Sequence, residues 1–330
     1  MQPNDPRRTA ALLLGKLGRL RPGSRMLLLH DQHTVHHVEL LRQASEALGG
    51  ICSVMGFHAR PGHGVELPPE VGKAMLGADL IVGLTRGNIT HTQARREAQA
   101  KGAHVIALPE CDGEDFFELP GWSADFDVLA PEIEAVANAL SLARLAHVTS
   151  EDGTDLQMSL EGRKGRALTG FVNRHDISTG YGLEASIAPL EGTAHGVIVV
   201  NESIPGVLVI GDDRIIIEIE KGYAVRISGG ANADRFRRFL DEFADPEIFN
   251  LAELGIGMNP ECVPDGRMLT DENVYGNVQL ALGTSAYIGG TVKAAAHYDT
   301  ISRANRIVLD GKLLLDQNRI DLSQFGTFKK

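Results

Sequence analysis

From residue 24 to about 110 the chain alternates short apolar runs with helix-patterned segments, and few folds accept that pattern. SRMLLLHD, ICSVMGFHA, DLIVGLT and HVIALPE are the apolar runs. VHHVELLRQASEALGG, PPEVGKAMLGA and HTQARREAQAKGA separate them. Apolar runs of strand length spaced by helices of about 10–15 residues mean βαβ units and a parallel sheet. Ligand sites in such sheets lie beyond the strand C-termini, which puts His30, Asp31 and residues 85–92 at the rim. No GxGxxG follows the first strand, so nothing supports a dinucleotide site.

A helix over 130–148 (APEIEAVANALSLARLAHV) then leads into a different pattern. RIIIEIEKGYAVRIS reads as two strands around Lys221 and Gly222, and IVLDGKLLLDQ turns at Asp310 and Gly311. One helix, over 232–244, interrupts these strands, and no internal repeat is visible. The expected fold is an α/β N-terminal domain with a parallel sheet over 1–149. An α+β, mainly antiparallel, metal-binding domain follows over 150–330. A chain of 330 residues, 43% hydrophobic, has apolar mass for two such cores.

Composition narrows the partners. The net charge is −11, aromatics make up 5%, and no Lys/Arg-rich run occurs, so no nucleic-acid partner is expected. No apolar stretch reaches the ~20 residues of a membrane span. At the start, Lys16 and Arg19 break the apolar run, which argues for an amphipathic first helix over a signal peptide. Cys52, Cys111 and Cys262 are widely spaced and outside any metal motif, which reads as reduced thiols in a cytoplasmic protein.

Candidate chemistry concentrates between 250 and 300, in NLAELGIGMNP, DENVYGNVQLALG and YIGGTVKAAAHYDT. The glycine density there suggests close backbone approach around something. His297 and Asp299 are two apart, so on a strand they project from one face, which suits a divalent ion; a plain His–Asp hydrogen bond satisfies the same spacing. Glu253 interrupts an apolar run, and a buried carboxylate requires a paired charge or a cation. Glu184, in GYGLEASIAP, is a weaker instance of the same kind.

The histidines of HDQHTVHH (His30, His33, His36, His37) read as solvent-facing, and His175 and His195 as turn residues at the surface. His91, in NITHTQAR, is either a general base or substrate ligand at the sheet rim, or a polar residue at a helix start capped by Thr90 or Thr92. Cys262 reads as a bystander, with no partner histidine to activate it.

AELGIGMNP, DE-x3-G-x2-Q-LALG and GG-x6-HYD together resemble the C-terminal domain of the aminopeptidase T family of metallopeptidases. They look equally like the related dihydroxypyridine ring-opening dioxygenases, which use non-haem iron. The likeness extends through ADLIVGLT and THTQAR and so covers most of the chain. The peptidase pattern implies that Glu184, Glu253, His297 and Asp299 ligate one or two metal ions. It expects histidine where Gln279 stands and tyrosine where Ala286 stands, with Tyr287 one step on. The dioxygenase pattern keeps His297 and Asp299 but expects histidine at 253 and an apolar residue at 184.

The expected function is a metal-dependent hydrolase acting on an amide or peptide bond, through water activated by zinc, manganese, cobalt or iron. Glu184 would take the water's proton, with His91 as a second catalytic candidate. The alternatives are an Fe(II) dioxygenase opening a hydroxylated N-heterocycle, with Glu253, His297 and Asp299 as a one-histidine facial triad, and a metal-free binding relative. A small-molecule or short-peptide substrate and a homodimer or larger assembly complete the expectation.

Overall fold

In the computed structural model, which describes residues 3–59, 65–90, 92–173, 176–204 and 206–326, the four apolar runs become strands. They are β1 (Arg25–His30), β2 (Ile51–Gly56), β3 (Leu80–Thr85) and β4 (His104–Pro109), parallel throughout in the order β2-β1-β3-β4. Helices α1 (Pro6–Ala11), α2 (Val38–Ala47), α3 (Pro69–Met75) and α4 (Gln93–Ala100) accompany them. Asp5 caps α1, accepting from the Arg7 amide at 2.9 Å, and a π-helical turn over Leu12–Leu17 buries Leu13, Leu14 and Leu17. Thr92 caps α4, accepting from the Arg95 amide at 3.3 Å. Leu27, Leu29, Ile81 and Val105 of the strands pack with Met75 and Ala98 of the helices.

Strand order reverses between β1 and β3, the place where parallel sheets open a crevice. Asp31 closes this one. Its Oδ1 accepts from the His33 amide at 2.8 Å and its Oδ2 from the Arg86 amide at 2.7 Å, tying together the turns after both strands. The cavity left beside Asp31, Phe57, Thr85 and Asn88 is about 20 Å³, room for one water.

The chain forms two compact units, Met1–Phe126 with Leu168–Leu183 and Asp127–Ala167 with Glu184–Lys330. In the second, α5 spans Phe126–Leu142 and ends six residues before the expected 148. Residues Leu145–Ser150 form β5 instead, with Ala146 and Val148 buried and Leu145 exposed. That alternation has period two, which the apolar spacing of ARLAHV leaves indistinguishable from the end of a helix.

Two antiparallel systems build the rest, each of eight strands among the described residues. One runs β13 (Tyr223–Gly229), β12 (Ile215–Glu220), β9 (His195–Val200), β6 (Asp155–Ser159), β5, β18 (Asn305–Leu309), β19 (Lys312–Asp316) and β20 (Arg319–Ile320). Lys221 and Gly222 make one expected hairpin turn, and Asp310 and Gly311 the other, all with positive φ. The second runs β11 (Leu208–Val209), β10 (Ser203–Ile204), β17 (Ile301–Ser302), β15 (Val278–Gly283), β14 (Leu251–Gly257), β8 (Glu184–Ile187) and β7 (Arg166–Leu168), with β16 (His297–Tyr298) beside β15. The expected second helix is α6 (Ala231–Asp241). Among the described residues no helix is long and apolar enough to cross a membrane.

Candidate metal centre

All seven residues of β14 are buried, so its one carboxylate has to be answered inside the protein. Side chains alternate along it, Leu254 and Ile256 to one face, Glu253 and Gly255 to the other. Gly255 pairs with Ser186 of β8 and with Gln279 of β15, and Gly283 of β15 pairs with His297 of β16. Directly paired residues share a face. The register therefore gathers Glu253, Ser186, Gln279 and His297 on one side of the sheet, with Glu184 two residues beyond Ser186 on the same side. A side chain on Gly255 would run into Gln279, whose Oε1 lies 2.6 Å from where a Cβ would sit.

His297 Nε2 is 3.1 Å from Glu253 Oε2 and 3.6 Å from Asp299 Oδ1. One ligand atom from each of the three lies within 4.8 Å of the other two, an arrangement able to hold a metal ion. Their side chains are 6–13% exposed. His297 Nδ1 faces the Thr284 carbonyl at 2.9 Å, so Nδ1 carries the proton and Nε2 is left to ligate. One imidazole nitrogen and two carboxylate oxygens on one side of an ion match the composition of a facial triad with a single histidine. The residues present fit a divalent metal.

Glu184 is buried at 6% exposure and its Oε1 has no hydrogen-bond partner, yet it stands outside that cluster of three. Burial pushes its pKa upward, and the nearby Glu253 charge adds to the shift, so the carboxyl favours its protonated form. Burial also opposes ionisation of Glu253, but the His297 hydrogen bond and charge outweigh it and hold Glu253 ionised. At His297 burial disfavours the cation, and the charges of Asp299 and Glu253 overcome it, raising the pKa well above the usual value.

His91 and His175 lie outside the described residues. His37 is buried, not solvent-facing: it packs edge-on against Phe117, ring centroids 5.0 Å apart, and its Nε2 lies 3.0 Å from the Gly113 carbonyl. His33 and His36 are exposed, and His195 opens β9 rather than a turn. Cys262 is buried and its thiol pKa is driven up by burial, which keeps it unreactive. Lys293 and Ala295 are exposed, so His297 follows a surface loop. Gln279 is buried, and its Nε2 donates to the Glu272 carbonyl, a bond made by the amide nitrogen and not by the oxygen that would ligate a metal. Thr284 escaped notice in the sequence because it acts through a backbone carbonyl, which any residue supplies.

Comparison with known proteins places this geometry. A sequence model of the family described as 2,5-dihydroxypyridine 5,6-dioxygenase (NicX) matches residues 16–321. The 2,5-dihydroxypyridine 5,6-dioxygenase of Pseudomonas putida is 26% identical over 267 residues, covering 74% of this chain and 71% of that one. The solved structure of 2,5-dihydroxypyridine dioxygenase from P. putida KT2440 superposes with a TM-score of 0.82 at 21% identity, covering 96% of each chain. Wild-type AmpT from Thermus thermophilus superposes with 0.63 at 16% identity, covering 96% of this chain and 98% of that one. The fold is thus common to both branches of the superfamily, as the sequence motifs imply. The family match overturns the expected amide hydrolase. A divalent metal ion is the cofactor that the family and this donor set call for. The chain belongs to the 2,5-dihydroxypyridine 5,6-dioxygenase family.

Proposed function

We propose that this enzyme is an iron-dependent dioxygenase that opens the ring of a dihydroxylated pyridine, with Glu253, His297 and Asp299 holding the metal. The observation that carries the reading is the convergence of one nitrogen and two oxygen donors within 4.8 Å, in a chain of this family. Bound there, Fe(II) would let dioxygen react with a closed-shell aromatic ring that it otherwise leaves alone. The protein's own part is positional and electrostatic. Thr284 fixes the imidazole tautomer and plane, and the two carboxylates supply the negative charge that draws in a cation. Glu184 stores a proton on a buried carboxyl and offers its free Oε1 to a ring hydroxyl. The substrate is a small heteroaromatic molecule, not a short peptide.

The test is dioxygen uptake by anaerobically iron-loaded enzyme given 2,5-dihydroxypyridine. One dioxygen consumed per ring opened, with loss of the ring's near-ultraviolet absorption, is the expected outcome. Fully loaded enzyme that consumes no dioxygen with this class of ring would overturn the reading. The proposal includes self-association, since β13 and β20 end their sheet as open edges; a monomeric mass by light scattering would refute that part. It includes a cytoplasmic setting, consistent with three free cysteines.

A further inference from the structure

We propose that Arg163 and Glu191 form a brace that sets how His297 meets the metal, through the loop from 284 to 296. The inference rests on the proposed metal centre, because it concerns the orientation of one of its ligands. Loops of this length without regular structure are ordinarily mobile, whereas a metal ligand needs its position held to roughly 0.5 Å. Something has to make up the difference.

Arg163 and Glu191 lie in turns outside the site, and their side chains are 11% and 22% exposed. Their ion pair through Arg163 Nη2 and Glu191 Oε2 is short and mostly desolvated. Arg163 Nη1 donates to the Gly289 carbonyl at 2.6 Å. Glu191 Oε1 accepts from the Thr291 amide at 2.7 Å and from its hydroxyl at 3.0 Å. The pair thus grips the backbone on both sides of Gly290. A Cβ there would fall 2.2 Å from Ser285 Oγ and 3.1 Å from Glu191 Oε1, so only glycine admits the grip.

From Thr291 the constraint passes to its neighbour. The Val292 carbonyl accepts from the Ser285 and Ala286 amides, both at 3.0 Å, and from the Thr284 hydroxyl at 3.1 Å. The Val292 amide donates to Ser285 Oγ at 3.2 Å. Thr284 is the end of the chain of contacts: its amide donates to the Ala296 carbonyl at 2.9 Å, and its own carbonyl accepts from His297 Nδ1 at 2.9 Å. Asp245 Oδ2 pins the far end by accepting from the Ala295 amide at 2.7 Å. Two constraints therefore meet at Thr284: its hydroxyl is tied through Val292 to the segment that Arg163 and Glu191 hold, and its amide through Ala296 to the end that Asp245 pins. Arg163 and Glu191 are positioning residues, touching neither metal nor substrate.

The experiment is titration of the metal-free full-length protein with Co(II), followed by its visible ligand-field absorption, with melting temperature recorded alongside. Glu191→Ala should weaken Co(II) binding on the order of 10–100-fold and shift the absorption bands, the scale seen when ligand-orienting partners are lost. Glu191→Gln keeps an acceptor for Thr291 and should recover most of the affinity. Arg214→Ala breaks a more exposed pair with Asp152 (2.6 Å) in the same unit; it should leave affinity and spectrum unchanged. Where Glu191→Ala fails to fold, Arg163→Lys, which keeps the charge but cannot reach both partners, should weaken binding severalfold. Wild-type affinity and spectrum in a folded Glu191→Ala or Arg163→Lys variant would overturn the brace. If His297→Ala also bound Co(II) as the wild type does, the metal centre itself would be wrong; loss in His297→Ala with retention in Glu191→Ala condemns the brace alone.

Discussion

Replacing His297 by alanine removes the nitrogen donor of the proposed centre and the cation that answers two buried carboxylates in the metal-free protein. The imidazole lies 3.1 Å from Glu253 and 3.6 Å from Asp299 with its side chain 10% exposed, so water cannot take its place cheaply. Removing one partner of a buried charge pair costs about 3–5 kcal/mol. The lost bond to the Thr284 carbonyl is part of that figure and not an addition to it, since contacting groups do not contribute independently. For a unit of this size each kcal/mol moves the midpoint by about 2–4 °C, so the metal-free variant should melt roughly 6–20 °C lower. Metal widens the gap: at a free concentration 100 times the dissociation constant it stabilises the wild type by about 2.7 kcal/mol, and the variant gains nothing. Scanning calorimetry with and without chelator, together with elemental analysis of protein purified without chelator, measures both effects. Full metal retention in His297→Ala, or a melting temperature equal to wild type in chelator, would refute the reasoning.

Gly283→Ala should cost more than Gly153→Ala although their φ angles nearly match, +113° and +109°. A Cβ at 283 would sit 2.2 Å from the Ala296 carbonyl, whereas at 153 the nearest atom is 3.6 Å away. Backbone strain alone costs about 1–3 kcal/mol, so equal losses by denaturant titration would show that the close packing of 283 on 296 is wrong. Burial, the first cause, lowers the His37 pKa to about 4. The unfolded chain therefore takes up its proton first as pH falls, and the stability His37 contributes is complete above about pH 6.5 and declines toward pH 4, by about 3 kcal/mol. His37→Phe should flatten that slope; an unchanged acid profile would remove His37 as its source. Elemental analysis should find no more than one divalent ion per chain, because the described residues gather one group of three donors; two ions would contradict that.

The parallel sheet was legible because strands flanked by helices must be apolar along their whole length, as β3 is, with all six residues buried. His297 and Asp299 were legible through their spacing, and Glu253 through the cost of a carboxylate in an apolar strand. The end of α5 was not, because alanine and leucine suit a helix or a buried strand equally until the partner strand is known. His37 misled because a histidine after a strand carries no mark of the phenylalanines, Phe116 and Phe117, that cover it from residues far along the chain. The choice between hydrolase and oxygenase was the hardest to read. Both chemistries want acidic residues and a histidine on one buried face, and only the pattern of the whole chain separates the families.

Charge makes that difference physical. In the proposed centre two carboxylates and one neutral imidazole would cancel a divalent cation, which would leave little net charge in a buried setting. Water activation by metals is strongest where positive charge is in excess or shared between two ions. Among the described residues one group of three donors gathers, and Glu184 stays outside it. Anionic oxygen donors instead stabilise a higher oxidation state of the ion they hold, which suits chemistry with dioxygen. With Glu253 as a ligand, the proposed centre would carry one more negative charge than a histidine at that position would give. The protonated carboxyl favoured at Glu184 is then a consequence as much as a catalytic asset, since a third full charge on that buried face would repel Glu253, and the nearby Arg166 charge only partly offsets burial.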